Sequence, residues 1–175
     1  MEPDPDLARV VGVQSADEVG EFYAYAAKPL IGLLTALGGN RADAEEVAQD
    51  SFVRLLEHWP KIREYDNPEA WLRTVAVRTM ISRHRRREVA RRALRSLAAN
   101  DHPTPNTEGQ LDVAEALSQL PITHRAVILL HHVDDLPVDE VASRLRIPVG
   151  TVKSRLSRAR AALAPLLTDE ERSST

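Results

Sequence analysis

The sequence predicts an all-α protein of two small helical domains joined by a flexible linker. Apolar side chains recur at helical spacing nearly throughout, strand-like alternation of useful length is missing, and one proline- and glycine-bearing stretch interrupts the pattern. That stretch, residues 96–110, carries two prolines, a glycine and few apolar side chains, and fully extended it reaches about 50 Å. It separates residues 17–95 from residues 111–167, with loose tails expected at 1–16 and 168–175.

In the first domain Val19, Phe22, Ala26, Leu30, Leu33 and Leu37 form a helical stripe, which Pro29 is expected to bend or interrupt and Gly38-Gly39 to end. Asn40 is the expected cap of a second helix. That helix has an apolar side of Ala44, Val47, Ala48, Phe52, Leu55 and Leu56, and a mostly acidic face of Asp43, Glu46, Asp50, Arg54 and Glu57. Periodicity alone reads this face either as solvated or as a dock for a basic protein. Asn67-Pro68 starts a third helix, with the asparagine as cap and the proline in the first turn; Trp71, Leu72, Val75, Ala76 and Thr79 mark its expected buried side. Further on, Arg83, Arg85, Arg86 and Arg87 point in most directions around the axis, with Arg91, Arg92 and Arg95 following. Such a segment cannot bury every face, so it is expected to project and to suit phosphate contacts.

In the second domain Leu111, Val113, Ala114, Leu117 and Leu120 define one helix, ended by Pro121, and Ala126, Val127, Leu129, Leu130 and Val133 the next. Val141, Ala142 and Leu145 then precede a short connection, Arg146-Ile147-Pro148-Val149-Gly150. The segment from Pro148 to Arg160 reads as the second, DNA-reading helix of a helix-turn-helix. Val152, Leu156, Ala159 and Leu163 make its apolar face; Thr151, Ser154, Ser157 and Arg158 lie opposite, flanked by Lys153, Arg155 and Arg160. Helix, tight turn, basic helix is an arrangement that fits a major groove.

Net charge is only −3 over 175 residues, but it is unevenly distributed. Residues 61–95 and 141–167 are strongly basic, whereas 1–60 and 96–140 are strongly acidic. Two basic blocks can touch a polyanion at two places while the acidic ones meet a basic partner. No apolar run approaches the ~18 residues of a membrane span, and the acidic start from Met1 to Asp6 is unlike an export signal. The cytoplasm is the expected compartment, with no membrane partner. Cysteines are absent, which excludes disulfides and thiolate metal sites. His131-His132 and Asp134-Asp135 supply metal-binding residue types. Consecutive helical residues point about 100° apart, however, and the other histidines lack ligand spacing, so no metal, cofactor or enzymatic activity is expected.

Together these segments resemble the two conserved domains of bacterial sigma-70-type factors of the small extracytoplasmic-function group, over nearly all of residues 17–167. The stretch from Asp43 to Arg54 looks like the segment with which such factors grip core RNA polymerase, and Pro68-Glu69-Ala70-Trp71-Leu72 looks like the start of their promoter-melting and minus-ten helix. Leu120-Pro121 with Arg125, Glu140-Val141-Ala142, and the run from Gly150 to Leu156 with Arg158-Ala159-Arg160 look like the minus-35 reader. The resemblance implies polymerase docking through Asp43, Glu46, Gln49, Asp50 and Arg54. It implies minus-35 contacts from Thr151, Lys153, Ser154, Arg155 and Arg158, and minus-ten contacts from Arg78, Thr79, Ser82, Arg83, Arg85, Arg86 and Arg87, with Tyr65 and Asn67 in a loop that receives a flipped base. It further implies control by an anti-sigma protein. Thr79 and Ser82 stand where the family usually has Asn and Asp, and offer shorter, differently directed hydrogen-bonding groups. Pro137 replaces a common serine cap, a change that a first helical turn tolerates. The competing expectation is a stand-alone dimeric helix-turn-helix regulator, which explains residues 111–167 but leaves the acidic stripe and arginine helix without a joint purpose.

Overall fold

A computed structural model describes the backbone of residues 5–97 and 113–173, and the side chains of 17–94 and 116–164. The chain runs α1 (Pro5–Gly38), α2 (Arg41–Ile62), α3 (Pro68–Leu97), α4 (Val113–Ser118), α5 (Ile122–Ile128), a π-helical turn (Leu129–Val133), α6 (Val138–Leu145) and α7 (Val149–Ser173). There is no strand among the described residues.

Local chemistry sets the helix boundaries. Gly39, at φ +74°, turns the chain out of α1 in a conformation that costs glycine little. Asn40 Oδ1 then accepts from Asp43 N–H at 3.1 Å, and Asn67 Oδ1 from Ala70 N–H at 2.8 Å; each satisfies an otherwise orphaned first-turn donor. Contrary to expectation, α1 is continuous through Pro29. Proline removes one hydrogen bond at an exposed position, whereas the opposite face of α1 is held by packing against α2 and α3. The expected tails are also helical in part: α1 begins at Pro5, suited to a first helical position, and α7 continues to Ser173. Of the predicted linker, residues 96 and 97 close α3, while 98–110 lie outside the described residues.

The first three helices bury Phe22, Leu30, Leu34, Leu37, Val47, Leu55, Leu72, Val77 and Met80 between them. Phe22 meets Phe52 and Trp59 at ring-centroid distances of 6.2 and 5.6 Å, and Trp59 Nε1 donates to Glu18 at 2.7 Å. On α3 the buried side is Leu72, Ala76, Val77 and Met80; Trp71, Val75 and Thr79 are only half-buried, a rotation of the predicted stripe toward Val77. Leu56 faces solvent.

In the second unit Leu120, Ile122, Ala126, Val127, Leu130, Val141, Val152, Leu156 and Ala159 are buried. The π turn inserts an extra residue into the helical repeat, which rotates Val133 out to solvent although its spacing predicted burial. Pro137 precedes α6, which forms as expected without a side-chain cap. These residues belong to the same apolar cluster as those of the first unit, since α1 packs on α4 and α5, and α3 packs on α5 and α6. The two helical units are therefore docked against each other.

Candidate nucleic-acid interface

The helix-turn-helix is formed by α6 and α7. Arg146 ends α6 at φ +53°, a left-handed conformation that costs a non-glycine residue roughly 1–2 kcal/mol. Its N–H is donated to Ser143 O and that of Ile147 to Ala142 O, which caps the last carbonyls of α6 and reverses the chain. Val152, Leu156 and Ala159 then seat α7 on the core, leaving Lys153, Ser154, Ser157, Arg158 and Arg160 exposed and Thr151 and Arg155 half-buried. Of the predicted reading face, Lys153, Ser154 and Arg158 are thus open to solvent, and Thr151 and Arg155 only partly so. Burial first, and then the neighbouring charge of Arg85 on α3, hold the Arg155 guanidinium below its ordinary pKa. Charge on α3 thus acts on a side chain of α7 in this arrangement.

The predicted minus-ten residues differ in what they face. Arg78 is engaged with the second unit: its Nε donates to Arg144 O at 2.6 Å and its Nη2 to Ser143 O at 3.4 Å. These carbonyls close α6, where the negative end of the helix dipole favours a cation. Arg83 and Arg87 turn instead toward α2. Arg83 Nη2 lies 2.5 Å from Glu46 and 3.9 Å from Asp50, and Arg87 makes a two-pronged contact with Asp43, its Nη2 donating to Oδ1 at 2.6 Å. The guanidiniums hold the Asp43 and Glu46 carboxyls below the usual carboxylate range, chiefly by hydrogen bonding. Ser82, Arg85 and Arg86 are exposed, the two arginines as expected of a projecting segment. Thr79 donates its hydroxyl to Val75 O at 2.8 Å, so its proton is already used within α3.

Tyr65 and Asn67 both lie on the exposed loop between α2 and α3, but the side-chain oxygen of Asn67 serves the α3 cap. Of the predicted docking residues, Gln49 and Arg54 are exposed beside Asp43, Glu46 and Asp50 on α2. The set is contiguous, as its spacing requires.

Besides Arg78, the two units are held together by Arg73, which sequence reasoning did not assign, and by Arg125, which it placed only within the minus-35 reader. Arg73 bridges Glu69 at 2.7 Å and Asp134 at 2.5 Å. Arg125 is buried, and its guanidinium lies near Gly39 at the end of α1. No periodic pattern marks these contacts between the units, because their partners are distant in sequence. Three of the residues considered as metal ligands have other partners: His131 donates to Leu136 O at 2.7 Å, His132 accepts from Arg160 at 3.2 Å, and Asp134 pairs with Arg73.

Burial, reinforced by nearby positive charge, lowers the pKa of His84, His124 and His132. A lowered histidine pKa contributes stability that is present above the unfolded value of about 6.5 and is lost as pH falls through the lower folded value. The Asp134 carboxyl, raised chiefly by burial, acts in the opposite sense in the acid range. The melting temperature is therefore expected to fall between about pH 7.5 and about pH 5.5, with a shallower fall in the H84Q/H124Q double variant. An unchanged or rising melting temperature would contradict the assignment.

The matches to known proteins agree with this architecture. Residues 14–98 match the family model described as Sigma-70 region 2, and residues 110–163 match Sigma-70, region 4. The chain is 34% identical to the ECF RNA polymerase sigma factor SigL of Mycobacterium tuberculosis, over 90% of this chain and 94% of that protein. It is 28% identical to the ECF RNA polymerase sigma factor SigW of Bacillus subtilis, over 75% and 79%. Among solved structures, it resembles the sigma factor RpoE in complex with the anti-sigma factor NepR from Bartonella quintana, with a TM-score of 0.66, 25% identity and coverage of 86% of this chain and 97% of that one. It also resembles CnrH in complex with the cytosolic domain of CnrY, with a TM-score of 0.57, 27% identity and coverage of 92% and 97%. With region 2 and region 4 present in order, and a relative one-third identical over nine-tenths of its length, the chain belongs to the sigma-70 family, in its extracytoplasmic-function group.

Proposed function

We propose that this protein directs promoter-specific initiation by carrying core RNA polymerase to the minus-35 and minus-ten elements, as an initiation factor with no chemistry of its own. The observation that carries the reading is α7, anchored by Val152, Leu156 and Ala159 and presenting Lys153, Ser154 and Arg158 outward. The acidic face of α2, with Asp43, Glu46, Gln49, Asp50 and Arg54, docks the polymerase. Arg83, Arg85, Arg86 and Arg87 follow the phosphates of the minus-ten region, with Arg78, Thr79, Ser82, Tyr65 and Asn67 around the melted bases. An anti-sigma protein controls the factor; the two structural relatives were solved in complex with an anti-sigma factor and with a cytosolic domain of CnrY. The docked arrangement adds a condition, because Arg78 donates to the end of α6 and Arg155 is half-buried within the field of Arg85. The two units must part before both helices read DNA. Run-off transcription with core polymerase and genomic fragments tests the proposal: discrete starts that depend on the protein are expected. Site-specific binding without polymerase, and no start-site selection with it, would favour an independent helix-turn-helix regulator.

A further inference from the structure

The cationic run of α3 divides into two sets with different surroundings. Arg83 and Arg87, four residues apart, share one helical face, and that face lies along α2. There Asp43, Glu46 and Asp50, at i, i+3 and i+7, present carboxylates in matching order. Arg87 meets Asp43, Arg83 meets Glu46, and Asp50 stands 3.9 Å from Arg83. Arg85 and Arg86 point elsewhere and are exposed. The residues read from sequence as two separate surfaces, one for a basic protein and one for phosphate, therefore neutralise each other across the α2–α3 groove. We propose that this ion-pair ladder couples polymerase docking to DNA affinity: when a basic surface of the polymerase takes the α2 carboxylates, Arg83 and Arg87 are released to phosphate.

This inference rests on the docking role proposed above for α2. Its physical basis is exchange of ionic partners. The carboxylates are partly solvated, with side-chain exposures of 55% for Glu46, 52% for Asp50 and 21% for Asp43, so a competing cation reaches them without unfolding the domain. Exposed ion pairs are weak and screened by salt, so exchange is reversible. Arg83 Nη1 is buried without a hydrogen-bond partner, so the ladder satisfies this guanidinium only in part and leaving it forfeits no bond at that nitrogen. Coupling between sites is reciprocal. DNA phosphate on Arg83 and Arg87 must strengthen polymerase binding by the same factor as polymerase strengthens DNA binding.

The test uses the full chain and a fluorescent mixed-sequence DNA duplex, with affinity read by anisotropy across a salt series. D43N/E46Q/D50N removes the carboxylate charges with little change of shape; D17N/E21Q/E57Q removes the same charge from exposed positions outside the ladder. Two additional phosphate contacts steepen the log–log salt slope by about 1.8. The ladder variant is expected to show that change relative to the control variant, and R83Q/R87Q in the ladder background is expected to abolish it. Equal slopes for ladder and control variants would overturn the proposal, as would a ladder slope unaffected by the arginine substitutions. Melting temperatures check that each variant is folded. Run-off transcription with the unaltered protein separates the two levels: normal start-site selection with equal slopes rejects the coupling alone, whereas no start-site selection rejects the docking role.

Discussion

Replacing Arg155 and Arg158 together with alanine is expected to reduce transcription from a promoter bearing its minus-35 element by roughly 30-fold or more, from about 1–3 kcal/mol for each guanidinium paired with guanine. Preference at the contacted base pairs should relax at the same time. Both side chains lie on α7 one turn apart, and neither belongs to the buried stripe of Val152, Leu156 and Ala159, so the fold should survive. Arg158 is already exposed, whereas Arg155 is half-buried and within the field of Arg85, so the larger share of the loss is expected from Arg158. Lys153→Gln provides the contrast. Loss of a phosphate contact weakens binding similarly at all sequences and lowers the salt slope by about 1. Unchanged promoter preference in the double-alanine variant, measured with polymerase bound, would remove both arginines from base readout.

Leu130→Ala should cost about 2–5 kcal/mol, because it deletes a fully packed side chain at a site with little freedom to collapse. Leu130 is 1% exposed, lies in the π turn and accepts Leu136 N–H through its carbonyl at 3.1 Å. For a chain of this size the melting temperature should fall by roughly 4–20 °C, at about 2–4 °C per kcal/mol. Both tryptophans, Trp59 and Trp71, belong to the other helical unit, so fluorescence reports on the half that the substitution does not touch. Because a single apolar cluster runs through both units, the fluorescence and far-ultraviolet circular dichroism transitions should shift together. A fluorescence midpoint left in place while the dichroism transition falls would mean that the two units unfold independently.

Periodicity located most of the structure, because the decisive forces are local. Seating α7 needs only apolar residues at i, i+4 and i+7, and capping α2 and α3 needs only an asparagine before the first turn. Inferences failed where one residue changed the phase or a neighbouring surface intervened. Val133 is exposed because the π turn rotates the helix beneath it, and the buried side of α3 shifted toward Val77 and Met80 to meet its neighbours. Pro29 lies within an unbroken α1 because packing of the opposite face outweighs one lost hydrogen bond.

The amino-acid order by itself determined that the chain is helical, where the helix-turn-helix lies, and which side chains form the basic and acidic stripes, since each follows from residue type and spacing along one segment. Only the tertiary structure decided what those stripes face. Arg78 is held by the end of α6, Arg73 by Asp134, and Arg83 and Arg87 by the carboxylates of α2. These pairings join residues 33 to 66 positions apart, and an ion's partner is set by proximity in space, which chain packing creates.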